Sequence, residues 1–229
     1  MTKKKEEQII EDENVAEVVV EEPKIELKKK DSLNFKIFDM WDISEIVVED
    51  RGLQNAINLK PLLALKTHGR NVVKHGQNRV NIVERLMNKI ALAGHRNKKH
   101  KIEVGRSTGK YSRNMKIVIE AFQIIEKRTG KNPVEVFVRA IEKASPREET
   151  TTIEYGGARY PQAVDVSPIR RVNLALKNMV HGASDKAFGK KKKFAQALAD
   201  EIVLAYEENG ESVAVRKKKE AEAQADSAR

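Results

Sequence analysis

Apolar positions recur at helical spacing along most of the chain. Ile82, Val83, Leu86, Met87 and Ile90 share one face, and Gly94 ends the pattern. A second stripe begins at about Ser112 with Met115, Val118, Ile119, Phe122 and Ile125, and Gly130 follows it. A third helix starts at Asn132, a good N-cap, with Pro133 in its first turn and Glu135 placed to reach back toward the cap. Val134, Phe137, Val138 and Ile141 are its buried face, and Pro146 stops it.

The texture then changes to β-branched and aromatic residues, Thr150-Thr151-Thr152-Ile153-Glu154-Tyr155, followed by Gly156-Gly157 and the alternating Val164-Asp165-Val166. Two extended runs around Gly-Gly predict a β-hairpin over 150–166, with Pro161 on an edge. Ser167-Pro168 opens a fourth helix, striped by Ile169, Val172, Leu176, Met179 and Val180 and closed by Gly182. A fifth spans about Gly189 to Glu208, with Phe194, Leu198, Ile202 and Ala205 inward, and Asn209-Gly210 breaks it. The remainder, 211–229, is charged and Ala-rich: either a further helix that packs on a partner, or a frayed end. The fold class is mostly α, a bundle of about six helices with a protruding β-hairpin arm between helices three and four.

Upstream the pattern is weaker. Residues 1–32 alternate blocks of Lys and Glu and predict a disordered tail. An apolar run from Phe35 through Trp41 to Val48 marks entry into a helical domain over 33–210, in which Val47-Val48 and Ile57-x-Leu59 are candidate short strands. The charged extension 211–229 follows it.

Composition narrows the function. The chain has 229 residues and a net charge of +10, enough length for one domain with a sizeable core. With no Cys, disulfide scaffolds, thiolate zinc sites and a Cys nucleophile are excluded. No apolar run is long enough to span a membrane or act as a signal peptide, so the default expectation is a soluble cytoplasmic protein without a membrane partner. The charge is uneven. The tail 1–32 is net −3, which leaves +13 on the rest, and 95–116 holds eight Lys+Arg against the single acid Glu103. Such density repels itself unless a polyanion lies nearby, and nucleic acid is the obvious one.

Catalytic readings find no foothold. Gly105-Arg106-Ser107-Thr108-Gly109-Lys110-Tyr111 resembles a phosphate-binding loop, but its spacer is one residue short and Tyr111 replaces the hydroxyl that would hold Mg²⁺. The five His, at 68, 75, 95, 100 and 181, form no metal-binding helix pair. Glu148-Glu149 and Glu207-Glu208 are adjacent acids that point apart and lack an apolar pocket. No enzyme activity, cofactor or metal is expected.

The basic positions, by contrast, agree with one another. Arg96, Lys98, Lys99 and Lys101 form one cluster; Arg106, Lys110, Arg113 and Lys116 lead into the second helix. Arg147 and Arg159 flank and enter the hairpin, Arg170 and Arg171 lie in the first turn of the fourth helix, and Lys190, Lys191 and Lys192, with Lys193, open the fifth. Cations at helix starts oppose the macrodipole, so an external anion is implied. Aromatics number only 11, most on buried stripes, which favours shape and phosphate recognition of folded RNA over stacking on single strands. Tyr155 and Tyr160 near the turn either enter an RNA groove or pack across the strands.

The run from Ser145-Pro146-Arg147-Glu148-Glu149, through Tyr155-Gly156-Gly157-Ala158-Arg159-Tyr160-Pro161-Gln162-Ala163, to Val164-Asp165-Val166-Ser167-Pro168-Ile169-Arg170-Arg171-Val172-Asn173 resembles small-subunit ribosomal protein seven. Asn81-Ile82-Val83-Glu84-Arg85-Leu86 and Asn132-Pro133 match its archaeal and eukaryotic style. The resemblance covers roughly 35–219. It implies an α-helical fold with a β-ribbon arm and a primary binder of the 3′ domain of small-subunit rRNA that nucleates head assembly. It also implies a place near the tRNA exit site and the mRNA exit path, beside neighbouring head proteins. Arg147, Arg159, Arg170, Arg171 and the basic loop become rRNA-contact candidates by position. Gly109-Lys110 departs from the bacterial pattern in being followed by Tyr111, and the tail 1–32 has no counterpart. A basic RNA chaperone or mRNA-binding regulator without ribosomal residence is the alternative.

Overall fold

A computed structural model describes residues 36–63, 72–96, 100–101 and 110–229, and the architecture here is that of the unit spanning 34–229. The tail 1–32, the glycine-rich stretch 102–109 and Lys98, Lys99 and Arg106 lie outside the described residues. Six helices and one hairpin follow in order: α1 (Ile82–Ile90), α2 (Tyr111–Thr129), α3 (Pro133–Ala144), β1 (Glu148–Tyr155), β2 (Ala158–Asp165), α4 (Pro168–Ala187), α5 (Phe194–Tyr206) and α6 (Val213–Asp226). A short 3-10 turn, Gly76–Arg79, precedes α1. The mostly α bundle with a hairpin between α3 and α4 is therefore as expected.

Local chemistry explains the helix ends. Asn81 and Asn132 each cap through Oδ1, accepting from the N–H of Val83 at 2.8 Å and of Val134 at 3.0 Å. Gly130 takes the left-handed conformation, φ 64°, that ends α2 with its N–H on the Glu126 carbonyl. The core centres on α5, which packs against α2, α3 and α4. Ala195, Ala197, Leu198, Ala199, Ile202 and Ala205 are all buried on it, an apolar surface too wide for a one-sided helix. Trp41 meets Phe122 edge-to-face and Phe122 meets Phe137 at a tilt, each with ring centroids 5.7 Å apart, which seals the entry segment onto α2 and α3.

Three expected boundaries move. Val47-Val48 and Ile57-x-Leu59 form no strand; that segment is turns, with isolated bridges Ile37–Trp41 and Asn58–Asn81. Gly182 lies inside α4, because a Cβ there would come within 2.9 Å of Glu201 Cδ and Val213 Cβ. It is a close-packing glycine, and the helix continues to Ala187. The fifth helix begins at Phe194: Gly189 adopts φ 67° and Lys193 is extended, so Lys190 to Lys193 form a connector before the helix.

The hairpin pairs Tyr155 with Ala158 across Gly156 and Gly157, both at positive φ as a two-residue I′ turn requires. Counting back from that closing pair, Pro161 opposite Thr152 falls at a non-hydrogen-bonded position, where its missing N–H costs the ladder nothing. The strand bases are half-buried and the tip is exposed. The 211–229 region is not a frayed end. Its helix α6 packs on α4 and β1 of its own chain, with Ser212 capping Val215 and the Glu222 carboxylate accepting from the Arg147 N–H at 3.1 Å.

Candidate nucleic-acid interface

The basic residues singled out in the sequence separate into three groups. The first surrounds a groove between the ends of α1 and α4 and the starts of α2 and α5. Lys101, Arg113 and Lys191 line it, with Lys193. Lys110 is the exposed N-cap residue of α2, and Arg113 and Lys116 are exposed in its first two turns. No acidic side chain occupies the first turn of α2 or of α5, and neither helix has a side-chain cap, so positive dipole ends and cations coincide there. Lys190 and Lys191 are exposed in the connector, while Lys192 is tied to Asp200 together with Arg128.

Arg96 joins this group through Asp185. Its guanidinium contacts the Asp185 carboxylate at 2.8 Å and donates to the His181 carbonyl at 2.9 Å; Lys101 reaches the other Asp185 oxygen at 3.3 Å. Burial pushes the Asp185 carboxyl up, but the hydrogen bonds from Arg96 and Lys101 outweigh it and hold the group below its ordinary value. Asp185 thus pins the first part of the basic loop, at Arg96 and Lys101, to α4, an anchor that the sequence reading missed. The signal was present only as an isolated acid among cations.

The second group belongs to the hairpin. Arg147 is exposed at its base. Arg159 pairs loosely with Glu154 across the strands at 3.6 Å, and Arg170 grips Glu149 with Nε at 2.5 Å and Nη2 at 2.9 Å. Tyr155 is 82% and Tyr160 58% exposed, so neither ring is buried across the strands.

Arg171 stands apart from both groups. Its side chain is only 10% exposed, with Nη2 2.7 Å from Asp50 Oδ2 and 3.2 Å from Ser145 Oγ. It ties the entry segment to α3 and α4, and little of its side chain reaches the surface. Adjacent residues on a helix point about 100° apart, so Arg170 faces out where Arg171 faces in.

A further set of basic side chains, not among the RNA-contact candidates, lines α1 and α4. Arg85 is buried, donating to the Ala56 carbonyl at 2.7 Å and to Asn173 Oδ1 at 3.3 Å, and desolvation lowers its pKa to about 10. Lys89 is lowered by burial and then by the charges of Arg85 and Lys177. Burial, then Arg96 and Lys177, likewise hold the His181 imidazole below its usual value. These groups repel one another in the free protein. Their i,i+4 spacing, Arg85 to Lys89 and Lys177 to His181, was the available clue.

With this geometry in hand, the comparisons with known proteins are decisive. The model of the family described as ribosomal protein S7p/S5e matches residues 64–229. The chain belongs to that family. Its relatives include the small ribosomal subunit protein uS7 of Nanoarchaeum equitans, 50% identical over 199 residues, covering 86% of this chain and all of the relative. The uS7 proteins of Methanosphaera stadtmanae and Methanococcus aeolicus are each 46% identical, again over 86% of this chain and their whole length. Membership makes this a ribosomal protein of the small subunit, consistent with the archaeal style of its motifs. Among the described residues no helix is long and apolar enough to cross a membrane.

Proposed function

We propose that this protein is a primary rRNA-binding protein that nucleates head assembly on the 3′ domain of small-subunit rRNA, within the cytoplasmic ribosome. The observation that supports it best is the convergence of Lys101, Arg113 and Lys191 on one groove, continued on the α1–α4 side by Lys89, which Arg85 and Lys177 repel, and by His181, whose protonation Arg96 and Lys177 oppose. A surface that is electrostatically strained when free is relieved by counter-charge from a polyanion. The proposed contacts are Arg96, Lys101, Lys110, Arg113, Lys116, Lys190 and Lys191 at the groove, with Lys98, Lys99 and Arg106 of the adjoining loop. Arg147, Arg159 and Arg170 are proposed at the hairpin, and Lys192 is a weaker contact because Asp200 holds it. The exposed Tyr155–Tyr160 tip suits an RNA groove, which agrees with a position near the tRNA exit site and the mRNA exit path, beside other head proteins.

A salt titration of binding to two RNAs tests the reading: the 3′-domain fragment of small-subunit rRNA and an unrelated folded RNA of equal length. A preference of about a thousandfold at physiological salt, on the scale of specific nucleic-acid recognition, is expected. Equal affinities with equal, steep salt slopes would replace it with a general RNA chaperone or mRNA regulator.

A further inference from the structure

The groove ringed by Lys101, Arg113, Lys191 and Lys193 is not polar throughout. Its floor is apolar, built from Ile90 of α1, Ile117 of α2, Ala187 and Phe188 at the end of α4, and Phe194 at the start of α5. Phe188 is 40% exposed, an aromatic ring left open at the edge of a basic surface. The cavity measures about 220 Å³, below the roughly 300–1,000 Å³ of sites that enclose drug-sized ligands, so it suits one flat ring system.

Its rim fits the rest of a nucleotide. Lys193 is partly neutralised by Glu120 at 3.4 Å and Lys101 by Asp185 at 3.3 Å, but Arg113 and Lys191 have no ion pair among the described residues. The uncapped start of α5 opens at the same place, since Lys193, Phe194 and Ala195 all line the groove, and its first-turn N–H groups favour an anion. Ser184, buried in α4, is the one hydroxyl residue in the lining. Apolar floor, aromatic edge, free cations and a helix N-terminus converge on one chemistry: a flat heterocycle attached to a phosphodiester.

We propose that this groove receives one unstacked nucleobase of the bound RNA, seated against Phe188 and Phe194, with the flanking phosphates held by Arg113, Lys191 and the start of α5. The proposal rests on the RNA-binding reading above and adds to it a base contact where charge alone supplies only phosphate contacts. Single-stranded positions in bulges and junctions are the sites where folded RNA offers such a base.

The test uses the full chain and the 3′-domain rRNA fragment. Phe188→Ala is expected to weaken binding about tenfold, the scale of losing one base–aromatic stack, with the salt slope unchanged because no counterion is involved. Phe188→Trp is expected to retain affinity, and Lys191→Gln to lower the slope magnitude by about one without that stacking loss. Ultraviolet cross-linking of the wild-type complex, read by mass spectrometry, is expected to join a single nucleotide to the peptide holding Phe188 or Phe194. Unchanged affinity of a folded Phe188→Ala, while the wild type still prefers the rRNA, overturns the pocket and leaves the RNA reading standing; loss of binding to a head protein instead would assign the groove to a protein side chain. A fall in salt slope with Phe188→Ala also overturns it, as does binding of free nucleoside monophosphates as tightly as the RNA. Absence of any rRNA preference in the wild type is the separate failure of the RNA reading.

Discussion

The guanidinium of Arg171 and the carboxylate of Asp50 meet at 2.7 Å although 121 residues separate them in the chain. Asp50 is itself placed by α3, since Glu142 Oε1 accepts the N–H groups of Glu49 at 2.7 Å and Asp50 at 3.2 Å. The pair therefore fastens the irregular entry segment to the helical body. Burial pushes the Asp50 carboxyl up, and the hydrogen bonds from Arg171 and the Gly52 N–H more than reverse it.

Asp50→Ala leaves the Arg171 charge in a nearly closed site without its partner. The expected loss is about 3 kcal/mol, the lower end for breaking a buried pair because Asp50 is partly solvated. Chemical denaturation measures it. Arg170→Ala, at the neighbouring but outward-facing position, should change stability by less than about 1 kcal/mol. It should instead reduce the salt slope of rRNA binding by about one, an effect absent from a folded Arg171→Lys. A slope change in the latter alone would reverse the two assignments.

Acid should destabilise the fold through the same carboxylates. Asp50, Asp185 and Asp200 are all held below the ordinary 3.8 by their cationic partners, with burial opposing. A depressed folded pKa contributes stability that is present above the unfolded value and is lost as pH falls through the folded one. Stability should thus decline below about pH 4, and Asp185→Asn should flatten part of that decline. Thermal unfolding from pH 6 to pH 2 reads it; an unchanged profile in the variant removes Asp185 from the account.

Gly182→Ala tests the close approach of α4 to α5 and α6. Helix propensity alone favours Ala by about 1 kcal/mol. The new methyl would meet Glu201 Cδ and Val213 Cβ at 2.9 Å, and overpacking of about 1–3 kcal/mol should win. Glu201 has little room to give: it is fully buried and accepts from Ser212 Oγ at 2.8 Å, the Ala214 N–H at 3.1 Å and Lys186 at 2.7 Å. A rise in Tm for Gly182→Ala would show that the three helices separate easily.

Removing α6 should loosen the hairpin. Arg147 N–H donates to Glu222, and Arg229 pairs with Glu148 at the base of β1. Deleting residues 213–229 is expected to speed amide exchange at 148–150 and 163–165, while the exposed tip exchanges quickly in both proteins. Equal protection at the base in both proteins would make the hairpin self-supporting.

His181 should report the arrival of RNA. Its imidazole is held below the usual 6.5 by burial and by Arg96, Lys177 and Lys89, with Asp185 opposing them. Phosphates near those cations would neutralise their field, so the His181 pKa should rise on complex formation. An NMR titration of the free and bound protein shows it. In the free protein a depressed imidazole costs stability as pH falls through 6.5 toward the folded value, because protonation then favours the unfolded chain. Lys89→Met should raise Tm by removing a repelled, half-buried charge and should weaken rRNA binding; a fall in Tm would mean that the repulsion is already relieved.

Local chemistry by itself determined most of the helices, because their apolar stripes, Asn caps and terminal glycines act within a few residues of where they are read. The Gly156-Gly157 turn and its flanking strands are legible for the same reason, as is the density of cations that points to a polyanion. What the chain could not reveal locally was which of those cations remain free. Arg170 and Arg171 are neighbours with the same chemistry, and only the distant Asp50 and Ser145 turn one of them inward. Gly182 reads as a helix end until α5 and α6 are brought against it, and Val47-Val48 reads as a strand until no partner strand is found beside it among the described residues. The groove above Phe188 is likewise a product of four elements far apart in sequence. Ion pairing, close packing and cavity shape depend on contacts across the fold, and those the tertiary structure alone decided.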